Sequence, residues 1–146
     1  MKISVFYDHI REAAEQSGKS MDEVFEEADV IMPGLDLTEE TKGLIGKKQF
    51  EKMKPGALLI NTSRGAVLEE KALYEALRTG KTGGAACDVF TEEPVTAENS
   101  LLHLENFIAA PHLGANTEEA LKNVGMAVVR ELLERLDIQT NEGYRE

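Results

Sequence analysis

The pattern of apolar and polar positions predicts five short strands along the chain. The central strand is Ala57–Ile60, whose four apolar residues run without alternation, as in a parallel strand that is covered on both faces. Two strands precede it, Ile3–Tyr7 and Val30–Met32, and two follow it, Gly83–Val89 and Phe107–Ala110. Every interval between successive strands is wide enough for a crossover connection between parallel strands.

Most of the segments between these strands show helical periodicity. The predicted helices are His9–Gln16, Ser20–Glu27 with a capping box from Ser20 to Glu23, a helix over 42–53 that Gly43 and Gly46 interrupt, Glu69–Thr79 with Gly80 as its C-cap, and a long final helix capped by Asn116 and Glu119. Strands that alternate with helices predict an α/β fold, a doubly wound parallel sheet forming a single domain over residues 1–146.

Composition and charge narrow the classes of function. The chain has 146 residues, 42% of them hydrophobic, and a net charge of -11, which argues against nucleic acid and anionic membranes as partners. Its single cysteine, Cys87, cannot form an internal disulfide, and no signal peptide or long apolar run is present, so we expect a cytoplasmic protein. The three histidines have no metal-ligand spacing.

Three side chains that can carry chemistry follow three successive predicted strands. Arg64 comes after the central strand, Glu93 after the next, and His112 after the last. Because the carboxyl ends of parallel strands share one edge, we expect these residues to meet there. Arg64 would hold a substrate carboxylate, His112 would move a proton at the neighbouring oxygen, and Glu93 would orient the histidine ring.

Each assignment has a structural alternative. Arg64 could be a solvated loop arginine, His112 a hydrogen-bonded structural histidine, and Glu93 a solvated loop acid. Asp8, at the end of the first strand, could accept hydrogen bonds from an adenosine ribose or could cap the helix that follows. Cys87, inside a strand, is better explained as a small core residue than as a nucleophile.

Three segments together resemble the signatures of the NAD-dependent D-isomer-specific 2-hydroxyacid dehydrogenases, and the later two are most similar to phosphoglycerate dehydrogenases. They are Asn61–Gly65 (NTSRG), Asp88–Pro94 (DVFTEEP) and Pro111–Thr117 (PHLGANT). The resemblance covers roughly residues 29–135. It implies that Arg64 binds substrate, that Glu93 pairs with a catalytic His112, and that the cofactor is NAD. The residues that it implies along the NAD site are Asp8, Thr62, Ser63, Asp88 and Gly114.

The chain departs from the family in one large respect. It contains no glycine-rich G-x-G-x-x-G loop and no separate substrate-binding domain, and Ile3–Tyr7 resembles the second strand of a Rossmann fold rather than the first. If the gap left by the first strand closes, the five strands adopt the flavodoxin-like order 2-1-3-4-5, with Ile3–Tyr7 beside the central strand. The alternative is a homodimer or strand-swapped oligomer in which a second copy fills the gap.

The sequence therefore leaves three functional hypotheses. The first is part of a dehydrogenase for a 2-hydroxy or 2-keto acid that keeps its catalytic residues but is inactive alone. The second is an enzyme that is active once a partner chain supplies the missing parts. The third is a non-catalytic flavodoxin-like scaffold.

Overall fold

The computed structural model describes residues 20–136, together with the backbone of residues 3–7. The predicted helix His9–Gln16, and Asp8 with it, lie outside the described residues. The chain divides into two compact units, Met1–Pro111 and His112–Glu146.

The described part of the first unit contains five strands and three α-helices. In chain order they are β1 (Ile3–Tyr7), α1 (Met21–Glu27), β2 (Val30–Gly34), α2 (Lys47–Lys52), β3 (Ala57–Asn61), a 3-10 turn (Gly65–Val67), α3 (Glu70–Arg78), β4 (Thr82–Cys87), a second 3-10 turn (Ser100–His103) and β5 (Phe107–Ala109). The second unit contains one described helix, α4 (Glu118–Arg135). The predicted strands are confirmed to within about two residues at each end.

The helix termini follow the predicted capping chemistry in most places. The capping box of α1 is present, since Ser20 Oγ accepts the Glu23 amide at 3.3 Å and the Glu23 carboxylate accepts the Ser20 amide at 2.7 Å. Gly80 ends α3 with a φ of 73°, a conformation that favours glycine. The predicted helix over 42–53 is shorter than expected and begins only after Gly46.

All five strands are parallel, and their order is β1-β2-β3-β4-β5. The predicted order 2-1-3-4-5 is wrong, because β1 pairs along its whole length with β2 and not with β3. Asp29 contacts β3 and the turn before it at the start of β2. Its carbonyl accepts the Leu58 amide at 2.9 Å, and its carboxylate binds Lys54 at 2.9 Å. The sheet is α/β and Rossmann-like, but it is not flavodoxin-like in strand order.

This strand order explains where the core lies. The order advances in one direction, and right-handed crossovers then place the described connecting helices α1, α2 and α3 on the same face of the sheet. One hydrophobic core joins that face to α1, α2 and α3. Its members include Phe25, Phe50, Leu73 and Leu77 from the helices and Ile31, Leu59, Ala85 and Cys87 from the strands.

Large apolar side chains on the opposite face of β3 and β5 are exposed. Leu58 is 43% exposed and Ile108 is 71% exposed, although Leu59, next to Leu58, is completely buried. Gly84 and Ala86 form the middle of this face, which has a shallow groove of about 310 Å³. Helices on this face, which a doubly wound sheet has, are not among the described elements of the first unit.

The second unit is described by α4 and the residues that lead into it. Thr117, rather than the predicted Asn116, caps the helix, because its Oγ1 accepts the Ala120 amide at 3.1 Å. Leu121, Val124 and Val128, members of the predicted apolar stripe, are more than half exposed. No helix in the described part of the chain is both long enough and apolar enough to cross a lipid bilayer.

Candidate functional site

Three parallel strands of the first unit end side by side. Asn61 of β3 is paired with Cys87 of β4, and Cys87 is paired with Ala109 of β5. Just beyond these pairs, the Asp88 amide donates to the Asn61 carbonyl at 3.0 Å and the Ala110 amide donates to the Cys87 carbonyl at 2.9 Å. The segments that follow these three strands therefore start from one edge of the sheet.

Asn61 organises the loop that carries Arg64. Its side chain is fully buried, and its Oδ1 accepts hydrogen bonds from the Ser63 amide at 3.1 Å and the Ser63 hydroxyl at 2.9 Å. Its Nδ2 donates to the Arg64 carbonyl at 3.0 Å. These three bonds set the turn of the main chain after β3, so that the loop leaves the sheet in one conformation.

Arg64 is exposed at this loop and borders a cleft. One terminal guanidinium nitrogen donates to the Ser63 carbonyl at 2.7 Å, which holds the end of the side chain against its own loop. The cleft, about 390 Å³, lies between the carboxyl ends of β2 and β3, with Gly34 and Asp36 on one side and Thr62, Ser63 and Arg64 on the other. A guanidinium has five N–H donors in one plane, a geometry that matches a carboxylate.

The loop that carries Glu93 packs against the loop that carries Arg64. Gly65 lies directly against the main chain of Phe90, so closely that a β-carbon at position 65 would overlap it. Glu93 is exposed, and one of its carboxylate oxygens accepts the Phe90 amide at 2.9 Å. Arg64 and Glu93 are thus carried by two loops in direct contact within the first unit.

His112 and Gly114 belong to the second unit, and both are exposed. His112 has a φ of 55°, the left-handed conformation that non-glycine residues adopt uncommonly. Such backbone conformations concentrate at functional sites. The pairing of His112 with Glu93 stays a prediction.

The other predicted residues have distinct surroundings. Thr62 is exposed at the cleft, and Asp88 is half-buried directly after β4. Cys87 is buried at 4% exposure, and burial, followed by the charge of Glu70, raises the pKa of its thiol to about 12. Cys87 is therefore a core residue and not an activated nucleophile.

Sequence reasoning assigned no role to three residues that shape the site: Asn61, Glu70 and Asn99. Asn61 could have been identified from the sequence, because an asparagine that directly follows an apolar strand can hold the next turn through its side-chain amide. Glu70 and Asn99 carry no such signal, because their bonds join segments 21 and 29 residues apart.

A dinucleotide site of the Rossmann type needs a crevice where the strand order reverses, and a glycine turn at a helix N-terminus for the pyrophosphate. The described strands advance from β1 to β5 without a reversal. The sequence also contains no G-x-G-x-x-G segment. The described residues do not by themselves form a complete NAD site of this type.

Comparison with known proteins identifies relatives over most of the chain. Residues 1–114 match the family described as D-isomer specific 2-hydroxyacid dehydrogenase, NAD binding domain. The D-3-phosphoglycerate dehydrogenase of Archaeoglobus fulgidus is 44% identical over 126 residues, which are 84% of this chain and 24% of the relative.

Solved structures give the same result for the fold. A glyoxylate reductase from Paecilomyes thermophila superposes with a TM-score of 0.74 at 37% identity, over 78% of this chain and 34% of that one. The D-lactate dehydrogenase of Lactobacillus jensenii, crystallised with NAD+, superposes with a TM-score of 0.75 at 28% identity, over 85% and 41% of the two chains. The chain spans less than half the length of each of these three relatives.

Proposed function

Because the chain belongs to the D-isomer specific 2-hydroxyacid dehydrogenases, through their NAD-binding domain, we propose that it supplies the substrate-carboxylate and acid/base residues of such an enzyme. The reaction class is hydride transfer between NAD and a 2-hydroxy or 2-keto acid. The proposal rests on one observation: the buried Asn61 holds the loop that places Arg64 at the edge of a cleft.

Each of the three residues has a separate task in this proposal. Arg64 binds the substrate carboxylate through paired N–H donors, which orients the neighbouring oxygen-bearing carbon. His112 gives a proton to the keto oxygen during reduction and removes it from the hydroxyl during oxidation. Glu93 accepts a hydrogen bond from the histidine ring and stabilises its protonated form. Thr62, Ser63, Asp88, Gly114 and Asp8 remain proposed contacts of the cofactor.

We further propose that these 146 residues do not turn over substrate alone. A dinucleotide is normally held at a reversal of the strand order and by a glycine turn at a helix N-terminus. The described strands have no such reversal and the sequence has no such turn, which supports the proposal. Activity would then require a partner chain or further sequence. The specific acid stays open, since relatives of this chain are named for phosphoglycerate and for glyoxylate.

The experiment has two parts. Titration with glyoxylate or hydroxypyruvate, followed by NMR of the amides of residues 61–65, should show saturable shifts that Arg64→Gln abolishes. Arg78→Gln is the matched control, because Arg78 is an exposed arginine whose partner is Glu75 within the same helix, α3. Unchanged amides at 61–65 with both acids would refute the assignment of Arg64.

The second part measures NADH fluorescence and NADH oxidation with the same acids. We expect no saturable turnover from the isolated chain. A rate that disappears in His112→Gln would overturn the proposed inactivity while supporting the catalytic assignment. The predicted homodimer stays a prediction, and sedimentation velocity of these samples tests it.

A further inference from the structure

Glu70, the first residue of α3, connects three segments of the first unit. One of its carboxylate oxygens accepts the Thr91 amide at 2.7 Å, and the other accepts the side-chain amide of Asn99 at 2.9 Å. Asn99 in turn caps the 3-10 turn at Ser100–His103, because its Oδ1 accepts the Leu101 amide at 3.0 Å. Glu70 therefore bonds to both ends of the loop 91–99, which contains Glu93.

The amides of Phe90 and Thr91 are consecutive, and two different carboxylates accept them. Glu93 accepts the Phe90 amide at 2.9 Å, and Glu70 accepts the Thr91 amide. The Phe90 N–H belongs to the Val89–Phe90 peptide group and the Thr91 N–H to the Phe90–Thr91 peptide group. These two planar groups meet at the Cα of Phe90, so the backbone angles of Phe90 relate the directions of the two bonds. Of the two acceptors, Glu70 lies on helix α3 and Glu93 lies on the loop 91–99. Glu70 is therefore the more rigidly placed, and Glu93 takes its position from the loop that Glu70 holds.

We infer that Glu70 is a positioning residue that sets the place of Glu93 in the proposed acid/base pair. This inference rests on the proposed function for its meaning in catalysis, because Glu93 matters there only as the partner of His112. Glu70 acts through the Phe90–Thr91 peptide and contacts neither substrate nor histidine in this role. Glu70 also lies close in sequence to the loop that carries Arg64. Gly65 of that loop lies against Phe90, and α3 begins five residues after Gly65.

The chemistry of the two bonds requires a carboxylate at position 70. Both partners, the Thr91 amide and the Asn99 Nδ2, are donors, so residue 70 must offer two acceptors. A glutamine offers one acceptor oxygen and one donor nitrogen. With its oxygen towards Asn99 it loses the Thr91 bond. With its oxygen towards Thr91 it could keep the Asn99 bond only if the Asn99 amide turned over, and that rotation would break the bond from Leu101. Hydrogen bonds to a charged acceptor are also stronger than those to a neutral one.

Amide-proton exchange of the labelled chain, measured by NMR, tests the inference. In Glu70→Gln we expect exchange of the Thr91 amide to accelerate by about tenfold, the effect of losing a hydrogen bond of ordinary strength. The decisive measurement is the Phe90 amide, which bonds to Glu93 and not to Glu70. Faster exchange at Phe90, by about fivefold or more, shows that Glu93 has moved with the loop. The amide of Leu59, in the core strand, reports whether the variant is folded.

Two further variants sharpen the result. Glu75→Gln is the matched control on the same helix, because the carboxylate of Glu75 bonds to Arg78. This substitution should leave the exchange of the Phe90 and Thr91 amides unchanged. Asn99→Ser keeps an acceptor for Leu101 but replaces the side-chain amide that donates to Glu70 with a shorter hydroxyl, so we expect a smaller acceleration at Phe90. If Glu70→Gln accelerates Thr91 alone, or neither amide, the positioning role is refuted.

These measurements use no cofactor, substrate or turnover. A failure of the dehydrogenase proposal therefore leaves the exchange results in place, and an unchanged Phe90 amide removes the role of Glu70 without touching Arg64 or His112.

Discussion

Gly65 lies against the main chain of Phe90, and this contact joins the loop that carries Arg64 to the loop that carries Glu93. A side chain at position 65 would point into the carbonyl of Phe90, where only movement of a backbone could make room. The glycine is required here by close packing and not by its backbone angles. Two loops from neighbouring strands can therefore approach each other closely at the candidate site.

Gly65→Ala should destabilise the protein by about 3 kcal/mol, since the added methyl forces two main chains apart. Urea unfolding followed by circular dichroism measures the change. Gly84→Ala, on the exposed face of β4, is the control. A β-carbon there meets the Asn106 carbonyl at 3.3 Å and a methyl of Leu58 at 3.4 Å, so the expected loss stays within about 1 kcal/mol. Equal stabilities for the two variants would contradict the close contact.

Asn61→Ala should cost about 1–3 kcal/mol, because Ser63 and the Arg64 carbonyl lose their partners near the buried strand end. The same substitution should weaken the response of the 61–65 amides to a 2-keto acid. Thr62→Ala serves as the control for stability, because Thr62 is exposed. An Asn61→Ala protein as stable as Thr62→Ala would show that the arginine loop does not depend on the asparagine.

The sequence predicted the strands well and the order of the strands poorly, for a physical reason. Strand position depends on local runs of apolar residues, and Ile3–Tyr7 and Phe107–Ala109 both follow such runs. Strand order depends on contacts between distant segments, here the bonds of Asp29 to Leu58 and Lys54. No local sequence pattern predicts that β2, rather than β1, pairs with β3.

The candidate site shows the same division. Arg64 could be selected from the sequence because an arginine at the end of a buried strand lies where parallel sheets bind ligands. Thr117 could not be separated from Asn116 as the cap of α4, because both residue types cap helices well. Glu70 could not be found, because its partners are known only once the loop 91–99 has folded over α3.

The two faces of β3 should respond oppositely to charge. Leu59→Lys buries an unpaired ammonium in the core and should prevent folding, since Leu59 is completely buried. Leu58→Lys, one residue away on the exposed face, should cost no more than about 1 kcal/mol, which corresponds to partial loss of leucine burial. Urea unfolding compares them directly. If Leu58→Lys also unfolds the protein, another element covers that face.

Cys87 should make the stability of the protein fall at alkaline pH. Burial raises the pKa of its thiol from 9.0 to about 12, so the folded protein retains a proton that the unfolded chain has lost between these values. The contribution is therefore complete below about pH 9 and decreases as the pH rises towards about 12, by about 1.4 kcal/mol per pH unit where the difference is full. Cys87→Ala should lack this contribution.

Because lysines and tyrosines also titrate in this range, the quantity to measure is the difference in unfolding free energy between the two proteins at each pH. A difference that stays constant from about pH 8 to about pH 11 would contradict the raised pKa, and with it the burial of the thiol between β4 and the helices.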